Sequence, residues 1–233
     1  MDIRVISIGT LAANPLWNEK AGSSVRSGHA TTTLIRSGKR TILIDPGLPG
    51  PALAARLSER AGIHPGEVSH VFLTAFKPDV FRGILAFEHA TWWVSEAERE
   101  QVGVPLIQQL RQAAEAGDDE LKEALETDVA ILKRCQPAPD RLAERVDLFP
   151  LPGVTPGTCG VLVSGPASGI GNGTALVCGD AVPTLEHLER AGVLHGAADV
   201  KQAQDSLKEA VEIADVLILG RDNWVVNPLR RGF

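Results

Sequence analysis

The apolar residues of this chain fall into short strand-like runs separated by helical stretches. That loose strand–helix alternation, without an internal repeat, constrains the fold more than any other feature. Met1-Asp2-Ile3-Arg4-Val5-Ile6-Ser7-Ile8 alternates as a strand does. After a long loop, Thr32-Thr33-Leu34-Ile35-Arg36 and Thr41-Ile42-Leu43-Ile44 flank Ser37-Gly38-Lys39-Arg40, a polar link suited to a β-hairpin. Asp45-Pro46-Gly47 stops the second of these strands. Pro51 stands where a first helical residue tolerates proline, Leu53 and Leu57 fall on one face, and Gly62 is placed to end the helix. His70-Val71-Phe72-Leu73 follows as a buried-type strand.

Residues 95–135 change to a helical pattern. Leu106, Leu110, Ala113 and Ala114 form one stripe, and Leu121, Leu125 and Leu132 another, with Gly117-Asp118-Asp119 between them supplying an aspartate N-cap. This helical insertion has two readings, cover for a sheet or a lid or dimer surface over a pocket. Gln136-Pro137-Ala138-Pro139 reads as a turn-rich connector, because strands resume over 146–151. Residues 159–164 and 175–178 read as paired strands around a glycine-rich turn, and Val216–Leu219 as the final buried strand. Gly169-Ile170-Gly171-Asn172-Gly173 lies between two strands and lacks a following Lys-Ser/Thr, so it is read as a hairpin turn rather than a phosphate loop. Asp199, with Gln202 three residues on, opens a helix whose stripe is Leu207, Ala210, Val211 and Ala214. Trp92-Trp93 is expected in a strand with one face in the core, and Trp17 and Trp224 in loops walling a pocket.

With 233 residues, 44% of them hydrophobic, one domain over residues 1–233 is expected. The net charge of -6 opposes a nucleic-acid or anionic-membrane surface, since both need a basic face. A small neutral or cationic ligand, or another protein, stays open as partner. The N-terminus has no basic start and apolar core of a signal peptide, and no apolar run approaches membrane-spanning length. Cys135, Cys159 and Cys178 match neither a zinc pattern nor a disulfide scaffold, which points to a soluble protein of a reducing cytoplasm.

Four segments carry a resemblance. Thr74-Ala75-Phe76-Lys77-Pro78-Asp79-Val80-Phe81-Arg82-Gly83 follows a buried strand. Pro152-Gly153-Val154-Thr155-Pro156-Gly157, Val177-Cys178-Gly179-Asp180 and Ile218-Leu219-Gly220-Arg221-Asp222 come after it in order. Together with the hairpin and aspartate-glycine turn of 32–47, they resemble the metallo-β-lactamase superfamily over nearly the whole chain. The matching motifs there are Thr-His-x-His-x-Asp-His-x-x-Gly, Pro-Gly-His-Thr-Pro-Gly, strand-Gly-Asp and strand-Pro-Gly-His-Asp. The resemblance implies an α/β fold, the metallo-β-lactamase-type αββα sandwich of two mixed β-sheets flanked by helices, with a pocket at one edge where the motifs meet.

The resemblance also implies a dismantled metal site. The five histidine ligands are replaced by Ala75, Lys77, Val80, Val154 and Arg221, and only Asp79 and Asp180 remain, so zinc is not expected and no cofactor is assigned. Two carboxylates left without metal repel each other. Lys77 and Arg221, placed where ligands point in the family, bring two positive charges against them, while Ala75, Val80 and Val154 fill the vacated space. An ion-pair cluster of Asp79, Asp180, Lys77 and Arg221 is therefore expected to organise the pocket, with Lys77→Ala costing more stability than a surface change.

Three function classes follow. The first is a non-catalytic domain, binding an unidentified small molecule in the former active-site pocket or acting as a regulatory partner. The second is a metal-free or weakly metal-dependent hydrolase of an ester, thioester or lactam-like bond. In it Asp79 or Asp180 is general base and Lys77 or Arg221 stabilises an oxyanion. The third is an interaction protein whose pocket is filled core. Whether the chain is an enzyme is left open, and a homodimer contact through the helical insertion is expected. His29 in the long loop, and His187 with His195 as a relocated metal site, are secondary candidates. Arg82 has either a surface role or a substrate-carboxylate role.

Overall fold

Most strands are apolar on both faces, so each sheet needs cover on both sides, and the chain supplies it in four layers. The computed structural model describes residues 1–165, 167 and 173–230. The glycine-rich turn read over 169–173 lies, except for its last residue, outside the described residues.

The first sheet comes entirely from the first part of the chain. Its elements are β1 (Asp2–Ser7), β2 (Thr32–Ser37), β3 (Arg40–Ile44), helix α1 (Gly50–Ala61), β4 (His70–Leu73), the one-turn α2 (Pro78–Phe81), β5 (Thr91–Val94), α3 (Glu96–Ala116), α4 (Asp119–Arg134) and β6 (Gln136–Pro137). The strands lie in the order β1-β2-β3-β4-β5-β6. β1, β2 and β3 are antiparallel, and β3 through β6 are parallel.

The second sheet follows from β7 (Arg141–Ala143), β8 (Val146–Pro150), β9 (Cys159–Ser164) and β10 (Thr174–Gly179). Short α5 (Leu185–Glu189) and α6 (Val200–Ile213) then lead to β11 (Val216–Leu219) and β12 (Trp224–Val226). Its order is β12-β11-β10-β9-β8-β7, with only β10 and β11 parallel.

Alternation along each strand sorts side chains between layers. Ile35, Ile42, Ile44, Phe72 and Trp93 of the first sheet meet Val161, Val163, Ala175, Val177 and Ile218 of the second. The intervening Leu34, Leu43, Val71, Leu73 and Trp92 point the other way, against Leu53 and Leu57 of α1, Leu106 and Ala113 of α3, and Leu125 and Leu132 of α4. On the far side Leu176, Leu217 and Leu219 receive Leu207, Ala210 and Val211 of α6. The two mixed sheets are thus packed face to face with helices outside.

The helix ends follow their sequence signals. Gly62 closes α1 in the left-handed conformation, and the Asp118 and Asp199 carboxylates accept from the backbone N–H of Leu121 and Gln202. α3 and α4 cover the first sheet.

Three expectations are corrected. Gln136-Pro137 is an edge strand parallel to β5 and not a turn, because an edge position tolerates a proline that lacks a donor. Trp92 and Trp93 are both buried, one on each side of the sheet, since the sheet is covered on both faces. Ala114 and Leu121 point to solvent, and the buried residues of α4 are Leu125, Ile131 and Leu132. Val216–Leu219 is the last buried strand, and the mostly exposed three-residue β12 pairs beyond it at the sheet edge. Among the described residues no helix is long and apolar enough to cross a membrane.

Candidate functional site

Each polar turn singled out in the sequence leaves a strand at the same edge of the sandwich. Asp45 follows β3, Thr74 follows β4, Asp180 follows β10 and Arg221 follows β11. Chain ends of parallel strands in an open α/β sheet are where such folds place ligands. Backbone bonds tie the turns together: Thr31 N–H donates to the Gly220 carbonyl (2.8 Å), Ala30 N–H to that of Asp79 (2.9 Å) and Cys159 N–H to that of Thr74 (2.9 Å).

The four charged candidates converge. Arg221 donates from Nε to Asp180 Oδ1 (2.7 Å) and from Nη2 to Asp180 Oδ2 (3.0 Å), a bidentate grip, while its Nη1 donates to Asp79 Oδ2. Lys77 Nζ donates to Asp180 Oδ2 at 2.9 Å. The Arg221 and Asp180 side chains are each only 2% exposed, whereas Lys77 is 27% and Asp79 35% exposed, so one pair is buried and one residue of each sign faces outward. Burial alone would raise the Asp180 carboxyl, but Arg221 and then Lys77 hold it well below the usual carboxylate range. Burial likewise opposes the charge of Arg221, and Asp180 and Asp79 more than restore it. Ala75, Val80 and Val154 are buried beside these turns.

Asp45 is a member of the site that the sequence marked only as a strand stop and as the aspartate of the turn over 32–47. It has a left-handed backbone (φ 53°), and its carboxylate accepts from Thr74 N–H (2.8 Å) and Thr74 Oγ1 (2.7 Å). Burial pushes its carboxyl up to about 7, against the lowering effect of the two Thr74 bonds, and the Asp180 charge adds to the rise. An acid whose folded value is raised costs nothing below its usual value near 3.8 and costs stability increasingly as pH climbs to about 7. A neutral asparagine side chain at this position would carry no such penalty. The stability of Asp45→Asn relative to the natural protein is therefore expected to rise by up to about 4 kcal/mol between about pH 4 and pH 8. Urea melts across that range check this, and a difference independent of pH would refute it.

Glu98 was also not singled out. It is fully buried and accepts from Phe76 N–H (2.7 Å) and Thr155 Oγ1 (2.6 Å), joining the start of α3 to two of the motif loops. A signal for it existed: Ser95-Glu96-Ala97-Glu98 has the Ser-x-x-Glu spacing of a capping box. Ser95 does cap, accepting from Glu98 N–H at 3.1 Å, but the glutamate turns inward to the loops.

Above the ion pairs opens a cleft of about 510 Å³, within the range of small-molecule sites. Lys77, Asp79, Asp180 and Arg221 line it together with Leu11, Pro15 and Leu16 of the long loop after β1, and with His187, Val193, Leu194 and His195 from the segment after β10. The edge where these turns meet is thus open and not filled core. His187 is buried, its Nδ1 lies 2.9 Å from Thr184 Oγ1, and burial lowers its pKa against the opposing pull of Glu186 and Asp180. His187 and His195 share this wall, yet among the described residues no three His, Cys, Asp or Glu side chains group so as to hold a metal ion.

Other candidates lie elsewhere. His29 is not part of the cleft lining, and its ring contacts the carbonyls of Ile8 and Ser27. Arg82 is exposed and donates to the Gly28 carbonyl (3.1 Å), which anchors the long loop. Neither expected tryptophan is among the residues that line the cleft. Trp224 belongs to edge strand β12, while Trp17 lies on the outside of the loop and donates to Glu186 Oε1 at 2.9 Å.

The family model of the metallo-beta-lactamase superfamily matches residues 25–220. No curated protein matches the sequence. Several solved structures share the fold. A Thermotoga maritima protein assigned to the metallo-beta-lactamases superposes with a TM-score of 0.69 at 17% identity, over 97% of this chain and 98% of that one. AidC, a dizinc quorum-quenching lactonase in complex with a product, gives 0.59 at 19% identity, over 78% and 67%. A variant of AiiA from B. thuringiensis with N-decanoyl-L-homoserine bound at its active site gives 0.63 at 17% identity, over 95% and 92%.

Proposed function

Since the chain belongs to the metallo-β-lactamase superfamily, we propose that its cleft binds a small molecule without hydrolysing it. In this reading the ion pairs of Lys77, Asp79, Asp180 and Arg221 stand where relatives hold metal. The observation that carries the reading is Asp180, both of whose oxygens are taken up by three N–H donors of Arg221 and Lys77. A carboxylate so engaged, and held so far below its usual pKa, has little left to offer a metal ion or a proton.

A zinc centre fits these residues poorly. Zinc takes imidazole, thiolate and carboxylate donors, whereas protonated lysine and arginine have no lone pair to give and repel a cation. Zinc in this fold would lower the pKa of a bound water to make the nucleophile. No residue of the cluster replaces that nucleophile. The cysteines are buried and free, with burial pushing Cys135 and Cys159 up to about 12 and Cys178 higher still, so none serves as a ready thiolate. The same free thiols support a reducing cytoplasm as the working compartment.

The hydrolase reading is retained as an alternative because Asp79 and Lys77 are both partly exposed at the cleft floor, as a base and an oxyanion partner would be. One experiment separates the two. Protein purified without an affinity tag, and incubated in parallel with zinc, manganese and iron, is expected to hold clearly substoichiometric metal by elemental analysis. It is also expected to leave lactone, thioester and ester substrates intact. Stoichiometric metal accompanied by turnover would overturn the binding reading. Metal-free turnover abolished by Asp180→Asn in a folded protein would install the alternative.

A further inference from the structure

The charges at the floor of the cleft are not equivalent, and the difference selects among ligands. Arg221 and Asp180 are buried and satisfy each other, so they present little to a visitor. Lys77 and Asp79 are the exposed members, and among the described residues no ion pair joins them to one another. Each has capacity left: Lys77 Nζ uses one hydrogen bond of its three donors, and Asp79 Oδ1 accepts none among the described residues. A ligand entering from the apolar side, past Leu11, Pro15, Leu16, Val193 and Leu194, therefore meets one open cation and one open anion. Burial lowers the pKa of His187 and so disfavours a further cation beside Lys77.

Resting on the binding reading above, we propose that the cleft takes a zwitterion with an apolar tail, an α-amino acid bearing a long apolar side chain. Its carboxylate lies against Lys77, its ammonium against Asp79, and its tail against the leucine, proline and valine wall. A ligand with a single negative charge gains Lys77 but must sit beside Asp79, and one with a single positive charge meets the reverse. Like-charge contact of this kind is how a site rejects the wrong partner. The zwitterion alone satisfies both without bringing net charge into a half-buried floor.

Three probes with matched tails test this by calorimetry at about pH 7: α-aminooctanoate, octanoate and octylamine. The natural protein is expected to bind α-aminooctanoate at least tenfold more tightly than either singly charged probe. In Lys77→Met the amino acid should fall to the level of octylamine, and in Asp79→Asn to that of octanoate, with melting curves taken to establish that each variant is folded. Should a variant fail to fold, the ranking by the natural protein decides alone. Binding of octanoate or octylamine as tight as that of the amino acid overturns the zwitterion proposal and leaves the binding reading standing. No binding of any of the three likewise overturns the zwitterion proposal, while the binding reading is decided by the metal and turnover experiment.

Discussion

Arg221→Met is expected to lower the stability at neutral pH by about 3–5 kcal/mol, since it strands the buried Asp180 carboxylate with Lys77 as its only cation. For a chain of this size that corresponds to a fall in melting temperature of roughly 10 °C. The dependence on pH identifies the cause. In the natural protein the depressed Asp180 contributes stability that is fully present above its usual value near 3.8 and is lost as pH falls below it. Without Arg221 the effect of burial is opposed by Lys77 alone, so the carboxyl rises and takes up a proton at a higher pH than in the natural protein. The gap between the two proteins therefore narrows as pH falls.

Adding Asp180→Asn to Arg221→Met should return most of the loss, because the stranded charge is removed. Lys77→Met should cost only about 1 kcal/mol, since its ammonium is partly solvated and Arg221 still holds Asp180. Chemical denaturation at about pH 7 and about pH 4 measures all of these. A loss for Arg221→Met below about 1 kcal/mol at neutral pH would mean that the cluster does not organise the site.

Gly153→Ala is expected to abolish folding or to cost more than about 3 kcal/mol. Gly153 has φ at 127°, outside the range open to side chains, and a Cβ there would lie 2.2 Å from the Ala203 amide nitrogen and 2.5 Å from its Cα. The turn is also the seat of α6. Asp199 N–H donates to the Gly153 carbonyl (2.9 Å), Ala198 N–H to that of Val154 (3.2 Å) and Ser206 Oγ to that of Pro152 (2.6 Å). Helix and turn cannot separate to admit a methyl group without giving up these bonds. Gly196→Ala is the control. Its φ is also positive, at 82°, but nothing lies within 4 Å of the added carbon, so only backbone strain of about 1 kcal/mol applies. Circular dichroism and melting of the two variants compare them. Equal, small losses would show that the close approach of α6 does not matter.

The elements with their own periodicity were legible in the sequence: the hairpin of β2 and β3, α1 with Leu53 and Leu57 inward, β4, and α6 behind Asp199. The two-residue β6 and three-residue β12 were not, because so short a run has no period and owes its existence to a neighbouring strand. At the site, aligning the four turns with family motifs was enough to bring Lys77, Asp79, Asp180 and Arg221 together. The part Asp45 plays at the site was not legible, because it depends on burial and on Thr74, which lies 29 residues away, and neither leaves a mark in the local sequence. The tryptophans were misplaced for a related reason. A loop residue has no built-in direction, and the loop after β1 puts Leu11, Pro15 and Leu16 over the cleft while Trp17 reaches outward to Glu186.

The two sheets are drawn from successive portions of the chain, and Lys77 and Asp79 leave the first while Asp180 and Arg221 leave the second. The cluster therefore works as a clasp between two halves, closing over sequence separations of 103 and 142 residues. Neither half can close it alone, and a chain pays for such distant loops before it gains from them, so this contact belongs among the last to form. Its weight then falls on how slowly the finished molecule opens and hardly at all on how quickly it is reached.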